Sequence, residues 1–243
     1  MPTVKLVAIP VEERKDEKVV KWLGHYSSAQ TILIVGDGDF SFSLALATAF
    51  GSGEKLVATS LDSYVHLISI YSKAESNVAE LKRLGATVLH SVSVKKMKKR
   101  TDLKSRRFDR IVFNFPHAGF IGKENQVHMI NAHRLLVQRF FRNASQMLRP
   151  LGEIHVSYKT GQPYDRWEIE YLALEFSLLK FEMVAFRKED YPGYNQKRGH
   201  GDRCDEEFPL RNGCTFKFMR WPRYTSLAGL RSRKWRFLQW STL

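Results

Sequence analysis

Cysteine is scarce in this sequence of 243 residues, because Cys204 and Cys214 are the only two. Two cysteines are too few for a disulfide framework, and their separation does not match a zinc-binding pattern. The histidines suggest no metal site either, since His128 and His133 are five residues apart and would lie on different faces of a helix. A chain of this length buries roughly 70–75% of its unfolded surface, so we expect a hydrophobic core and reduced thiols.

Long apolar runs are also missing. No stretch of ~18 consecutive apolar residues occurs, which argues against a membrane-spanning helix. Residues 12–17 are all charged, and the first 21 residues contain no apolar core of the length that a signal peptide needs. We therefore expect a protein that is neither secreted nor membrane-bound, and we favour a monomer.

Acidic residues are too few to balance the basic ones. The chain has 25 Asp and Glu residues against 39 Lys and Arg residues, which gives a net charge of +14. Such a charge attracts polyanions before any specific contact forms. Nucleic acid and anionic membrane are both candidate partners on charge alone, and a basic composition without such a partner is the third possibility.

Short β-rich runs alternate with longer helical runs, a pattern typical of a parallel sheet covered on both faces. The first five predicted strands are residues 31–35, 55–61, 86–92, 110–115 and 153–158, and the predicted helices are residues 41–50, 65–84, 125–148 and 166–179. Two further strands, 181–187 and 215–220, are separated by a segment without helical character, so they should pair antiparallel. The pattern predicts an α/β fold of the Rossmann-like class I methyltransferase type, with a seven-stranded, mostly parallel sheet and a C-terminal antiparallel hairpin. We place an N-terminal extension at 1–27, the domain at 28–220 and a basic, aromatic tail at 221–243.

A glycine-containing turn lies between the first predicted strand and the first predicted helix. Its glycines allow a tight turn and a close approach to a ligand at the helix N-terminus. A dinucleotide fingerprint has a third glycine where this chain has Ser41, and the acidic side chains in the turn would repel a pyrophosphate. The cationic amino group and sulfonium of S-adenosylmethionine would suit them, and the alternative is an ordinary turn with Asp39 as the helix N-cap. We predict cofactor contacts at Gly36, Asp37, Gly38, Asp39, Phe40 and Ser41.

Asp62 follows the second predicted strand. A carboxylate at this place can accept hydrogen bonds from both hydroxyls of a ribose, which makes Asp62 a further candidate for cofactor binding. NAD would use the same carboxylate, so Asp62 alone does not choose between the two cofactors. The alternative for this residue is an N-cap of the next helix.

The catalytic candidates are Asn114, Phe115, Pro116 and His117, which follow the fourth predicted strand at the sheet edge where ligands bind. Methylation of a ring nitrogen requires a flat platform for the base and partners for its polar edge. The Asn114 amide can accept the imide N–H of uracil and donate to a carbonyl, while Phe115 or His117 can stack on a flipped-out base. His117 is also a possible general base. The alternative is a strand that simply ends at Pro116.

Several strings together resemble a known family. They are ILIVGDGDFSFSLALA at 32–47, ATSLDS at 58–63, FDRIVFNFPHAGF at 108–120 and YPGY at 191–194. The chain resembles, from about residue 21 to 219, the uridine-N3 methyltransferases that act on eukaryotic large-subunit ribosomal RNA. The resemblance implies S-adenosylmethionine as the methyl donor, a Rossmann-like fold, a uridine N3 acceptor in ribosomal RNA, and action in the nucleus or nucleolus, with the cytoplasm left open.

One departure from that family concerns Ser93. Relatives tend to carry an acidic residue after the third strand, so the expected adenine contact at Ser93 is altered, although a hydroxyl can still accept a hydrogen bond. This departure keeps open a non-catalytic RNA- or nucleotide-binding protein on the same fold.

Two stretches are candidates for RNA contact. The first is a run of basic residues after the third strand, which could bind phosphates or form a solvated helix face. In the second, within 188–213, cations are interleaved with aromatics, which suits single-stranded RNA. The predicted contacts are Lys95, Lys96, Lys98, Lys99, Arg100, Tyr191, Tyr194, Lys197 and Arg198.

Overall fold

A computed structural model describes residues 19–119, 122–199 and 201–221. The strands are β1 (Trp22–Leu23), β2 (Tyr26–Ser27), β3 (Ile32–Ile34), β4 (Leu56–Thr59), β5 (Thr87–Leu89), β6 (Phe108–Asn114), β7 (Leu148–Lys159), β8 (Leu178–Ala185) and β9 (Gly213–Arg220). The α-helices are α1 (Ser41–Phe50), α2 (Tyr64–Ile70), α3 (Ala74–Arg83), α4 (Val127–Ala144) and α5 (Ile169–Leu174). No helix within these ranges is long and apolar enough to cross a membrane.

Seven strands form one sheet in the order β5-β4-β3-β6-β7-β9-β8. The strands from β5 to β7 are parallel, whereas β9 is antiparallel to both β7 and β8. The predicted Rossmann-like layout, with its C-terminal antiparallel hairpin, is confirmed. Because β3 and β6 are neighbours in the sheet but distant in sequence, the winding reverses between them, and ligands bind at such a reversal.

The sheet is buried on both faces, which explains why β3 is a continuous apolar run. Leu33 packs into one hydrophobic cluster together with Ile111 and Phe140. Ile32 and Ile34, its neighbours along the strand, pack into the cluster on the opposite face. Successive side chains of a strand point to opposite faces, so a strand covered on both sides needs apolar residues at every position.

The predicted helix at 65–84 is two helices, because the chain leaves the helical conformation at Tyr71. That residue is extended (φ −123°, ψ 113°) and only 2% exposed. The helix predicted at 125–148 ends at Ala144, since Leu148 already pairs with Phe108 in the sheet. The helix predicted at 166–179 is a 3-10 turn followed by the short α5, divided by Glu168 at a positive φ of 52°.

The N-terminal boundary predicted at residue 27 is corrected by the structure. Strands β1 and β2 form a hairpin, and the Tyr26 side chain is 1% exposed. Its ring lies edge-on to Phe42 with centroids 5.9 Å apart, and its hydroxyl is 3.2 Å from Nδ1 of His155. Residues 22–27 therefore belong to the domain. Nearly all of the predicted tail, residues 222–243, lies outside the described residues.

Candidate active site

A cleft of about 820 Å³ opens at the carboxyl ends of β3, β4 and β6. Its wall brings together residues predicted from five separate parts of the sequence. They are Gly36, Asp37, Gly38, Asp39, Asp62, Ser93, Asn114, Phe115, Pro116, His117, Tyr194, Lys197 and Arg198. Phe40 and Ser41, also predicted to contact the cofactor, are buried and do not line the cleft.

The conformation of the glycine turn is fixed by sterics. Gly36 has a φ of +63°, and a Cβ built on it would lie 2.9 Å from Cε2 of Phe113. The position therefore requires glycine both for its left-handed backbone and for its close neighbour. Phe40, immediately before α1, also has a positive φ of 65°, with its ring fully buried. Bulky residues rarely adopt a positive φ, and the packing of the buried Phe40 ring stabilises this conformation here.

The two carboxylates of the turn bind the N-terminus of α1. Asp37 Oδ2 accepts hydrogen bonds from the Ser43 N–H at 2.8 Å and from the Ser43 hydroxyl. Asp39 Oδ1 accepts from the Ser41 N–H at 3.0 Å. These are N–H groups that a helix leaves without internal partners. Burial raises the pKa of both carboxyls, that of Asp37 to about 7. Asp37 and Asp39 therefore both bind the first turn of α1, but the N-cap residue is Phe40, so the alternative of Asp39 as N-cap is wrong.

Asp62 lies in the wall of the cleft and does not cap a helix. Ser63 caps α2, because its hydroxyl accepts from the His66 N–H at 3.3 Å. The alternative of Asp62 as N-cap is therefore wrong. Its side chain is 25% exposed in the cleft wall, with the nearest Asp62 oxygen 3.7 Å from Nε2 of His66. Ser93 also lines the cleft, where its hydroxyl accepts from the Lys95 N–H at 3.4 Å.

Asn114, the last residue of β6, presents a buried hydrogen-bond donor. Its Oδ1 accepts from the Ser157 hydroxyl at 2.7 Å, and Ser157 Oγ lies 3.1 Å from Oγ1 of Thr215. Side chains of β6, β7 and β9 therefore hold the amide in one orientation. Its Nδ2 is buried and has no hydrogen-bond partner among the residues that the structure describes. Phe115 follows at a positive φ of 47°, which turns the chain away from the sheet.

His117 lies beside an acidic residue that the sequence analysis missed. Its Nδ1 accepts from the Gly119 N–H at 3.1 Å, and its Nε2 is 3.7 Å from Glu124 Oε1. Glu124 also accepts from the Tyr164 hydroxyl at 2.7 Å. These contacts with His117 and Tyr164 lower the pKa of Glu124 to about 2, so its carboxylate is ionised at neutral pH. Glu124 precedes α4 in an irregular segment, where no sequence pattern singles it out.

A second, smaller chamber of about 500 Å³ adjoins the cleft. The two cavities share wall residues at the end of β6, namely Phe115, Pro116 and His117. Aromatic side chains from β7 and the following turn complete the chamber, and none of them was a predicted site residue. They are Tyr158, Tyr164 and Trp167.

The segment between β8 and β9 folds over the glycine turn, and this corrects three predicted RNA contacts. Tyr191 and Tyr194 are 3% and 8% exposed and pack their rings on Phe42. The Lys197 side chain is 5% exposed, with Nζ 2.6 Å from Asp205 Oδ1 and 3.8 Å from Asp39 Oδ2. These contacts give the three side chains structural roles, although Tyr194 and Lys197 also form part of the cleft wall.

The basic run after β5 divides into exposed and structural residues. Arg100 donates to the carbonyls of His90 and Ser91 at 3.1 and 3.0 Å, and it pairs with Asp102. Arg100, which was predicted to contact RNA, therefore has a structural role. Lys98 donates to Gln146. The exposed members of the run, which remain candidates for phosphate contact, are Lys95, Lys96 and Lys99.

A family model and several known proteins match this chain. A family model described as BMT5-like, rRNA (uridine-N3-)-methyltransferase, matches residues 33–198. Heavy metal-associated isoprenylated plant protein 41 of Arabidopsis thaliana is 52% identical over 84% of this chain, which spans only 39% of that protein. An uncharacterized protein of the same plant is 45% identical over 82% of this chain and 96% of its own length.

A third relative is the 25S rRNA (uridine(2634)-N(3))-methyltransferase of Saccharomyces cerevisiae. It is 24% identical over 86% of this chain and 77% of its own length. The family model covers more than half of the chain, including the glycine turn, Asp62 and Asn114–His117. The chain therefore belongs to the BMT5-like rRNA (uridine-N3-)-methyltransferase family.

Proposed function

We propose that this protein transfers a methyl group from S-adenosylmethionine to N3 of a uridine in large-subunit ribosomal RNA. The observation that carries the proposal is the buried Nδ2 of Asn114, a donor without a partner in the described structure, at the wall of the cleft. Family membership supports the reaction class, and the yeast relative supports the acceptor atom. Nuclear or nucleolar action is part of the same proposal.

The cleft fits the methyl donor. Gly36 and Gly38 line the cleft beside the N-terminus of α1, and Asp62 offers a partly exposed carboxylate to ribose hydroxyls. Asp39 Oδ2 is buried and makes no hydrogen bond within the described residues, and its near cation is the Lys197 ammonium at 3.8 Å. An ammonium group of the donor would share this carboxylate with Lys197. The bound donor supplies an electrophilic methyl group on a sulfonium, which carries positive charge.

Asn114 prepares the acceptor ring for transfer. N3 of uracil carries a proton in the neutral ring, which passes to water when the methyl group is transferred. Loss of that proton moves negative charge onto the flanking carbonyl oxygens. A donor aimed at one of these oxygens stabilises the charged form, and it does so most effectively when its orientation is already fixed. The Ser157 hydroxyl fixes the Asn114 amide in this way.

His117 is better suited to positioning than to proton removal. Its Nδ1 accepts from a backbone N–H, and its Nε2 faces the ionised Glu124. Each ring nitrogen therefore has a neighbour within the protein that orients the imidazole. We assign His117 and Glu124 to the rigid wall between the two cavities.

A non-catalytic nucleotide-binding protein is the second candidate, and Ser93 favours it. This side chain lines the cleft with a hydroxyl where a carboxylate was expected, and the hydroxyl is used by the Lys95 N–H. Donor binding without methyl transfer to any RNA would select this alternative.

The test replaces Asn114 with alanine. Asn114→Ala should lower methyl incorporation into undermethylated large-subunit RNA by roughly 100-fold, because it removes a preorganised donor, while donor binding measured by calorimetry stays unchanged. Asn125→Ala, an exposed asparagine just before α4, is the matched control and should retain full activity. Full activity of Asn114→Ala would contradict the assigned role.

A further inference from the structure

The second chamber has walls that suit a flat, polar ring. Tyr158, Trp167 and Tyr164 contact one another edge-on, with centroids 4.8 Å apart for Tyr158 and Trp167 and 5.5 Å for Tyr164 and Trp167. Phe115 and Phe208 stand in the wall shared with the cleft, with their centroids 5.4 Å apart. Aromatic walls of this kind hold nucleobases that have been turned out of an RNA strand.

Two buried polar atoms in these walls have no hydrogen-bond partner in the described part of the chain. They are the hydroxyl of Tyr158 and Nε1 of Trp167, on side chains that are 4% and 3% exposed. A buried polar atom without a partner destabilises the folded protein, and where such an atom borders a cavity a bound ligand can supply the missing partner. Asn114 Nδ2, which lines the cleft next to the shared wall, is a third atom of this kind.

The available groups of the chamber are hydrogen-bond donors. Trp167 Nε1–H and the Lys159 ammonium can only donate, and the Tyr158 hydroxyl can donate. Among the described wall residues, the carboxylate is that of Glu124, which already accepts from Tyr164 and faces His117. Such a wall fits a ring with two carbonyl oxygens. Uracil has two carbonyl oxygens. Cytosine has an amino group in place of one of them, so its N–H donors would face the donors of the chamber wall.

Positive charge surrounds the same space. Lys159 Nζ lies 4.9 Å from the centroid of the Phe208 ring and 5.4 Å from that of Tyr164. Arg198 and Arg211 also line the chamber. Burial lowers the pKa of Lys159. Cations around a pocket hold the phosphates of a strand at its mouth and stabilise negative charge on a ring inside it.

We propose that this chamber binds the uracil ring of a nucleotide turned out of an RNA strand, and that Tyr158, Trp167 and Lys159 select uracil over cytosine. The inference rests on the proposed function in one respect, since it makes that uracil the methyl acceptor. The chamber adjoins the cleft through Phe115, Pro116 and His117, so a ring bound there lies beside the donor site.

The first test locates the ring directly. A short RNA with one 4-thiouridine is bound to the full chain and irradiated, and the crosslinked peptides are identified by mass spectrometry. We expect crosslinks in the segment from Tyr158 to Trp167 or at Phe208. Crosslinks confined to the basic surface at Lys95, Lys96 and Lys99 would overturn the inference.

The second test measures selectivity with a change that preserves the fold. Tyr158→Phe keeps the aromatic contacts and removes only the hydroxyl, so binding of a short oligouridylate should weaken roughly three- to tenfold, with oligocytidylate binding unchanged. Tyr171→Phe removes the hydroxyl of a 60% exposed tyrosine on α5 and should change neither affinity. Equal losses for both oligonucleotides, or no loss, would contradict uracil selection.

The outcomes separate this inference from the proposed function. Crosslinks within the chamber, without methyl transfer to any RNA, would overturn the proposed function and leave a uracil-binding pocket. Methyl transfer to uridine with crosslinks only outside the chamber would overturn the inference and leave the proposed function intact.

Discussion

The glycine turn and the end of β6 form opposite walls of one cleft, but they use their polar groups differently. Around the turn, three hydrogen bonds join the Asp37 and Asp39 carboxylates to Ser43 and Ser41 in the first turn of α1. At the end of β6 and in the adjoining chamber, Asn114, Tyr158 and Trp167 keep buried donors without partners in the described structure. We infer that the first region supports the fold and that the second binds a ligand.

This difference predicts different consequences of mutation. Changes in the turn should alter the free energy of unfolding, whereas changes such as Asn114→Ala or Tyr158→Phe should alter binding and transfer with little effect on folding. Asp62 is the informative exception, because it lies on the turn side of the cleft but has a partly exposed carboxylate.

The largest expected effect concerns Asp37 and pH. Burial raises the pKa of its carboxyl to about 7 in the folded protein, so the folded state binds a proton that the unfolded state has already released. The stabilisation is complete below about pH 4 and is lost as pH rises to about 7, by up to about 4 kcal/mol. Chemical denaturation across this range should show the loss in the wild type and a flatter profile in Asp37→Asn. Parallel profiles for the two proteins would contradict the burial of this carboxyl.

A smaller effect is expected from Gly36→Ala. The new Cβ would meet Phe113 at 2.9 Å in a left-handed backbone, and we expect a loss of about 2–3 kcal/mol in the free energy of unfolding. Gly161 has a similar positive φ of +86° with no heavy atom within 4 Å of a built Cβ among the described residues. Gly161→Ala is therefore the control for backbone strain alone, and an equal loss in both variants would show that the Phe113 contact is unimportant.

The smallest effect on folding is expected from Asp62→Ala, which should act on donor binding instead. Removal of a carboxylate that accepts from ribose hydroxyls should weaken S-adenosylmethionine binding by a factor of about 10–100, measured by calorimetry. Glu75→Gln, on the exposed face of α3, removes a charge elsewhere and serves as the control. Unchanged donor affinity in Asp62→Ala would place the ribose outside this wall.

The order of elements could be predicted from the sequence, because continuous apolar strands and glycine turns are local signals. Asp62 and Asn114 were found in the same way, as polar residues that follow such strands. The division of the helix at Tyr71 could not be predicted, since the ring's burial depends on partners distant in sequence. The β1–β2 hairpin was missed because its strands are two residues long.

The second chamber was missed for a related reason. In the sequence, Tyr158 and Trp167 look like ordinary core residues of a strand and a turn. Glu124 precedes α4 and belongs to no recognisable motif. Conversely, Tyr191, Tyr194 and Lys197 looked like an RNA-binding pattern, although their side chains are buried against Phe42 and Asp205. Burial decides these roles, and composition alone does not reveal which members of a basic and aromatic stretch are buried.

The most direct test of the proposed methyl transfer identifies its product. Large-subunit RNA that lacks the modification is incubated with the full chain and S-adenosylmethionine, digested to nucleosides and analysed by mass spectrometry. We expect N3-methyluridine with the wild type and roughly 100-fold less of it with Asn114→Ala. A methyl group on another nucleoside, or no methylation by a folded wild type that binds the donor, would contradict it.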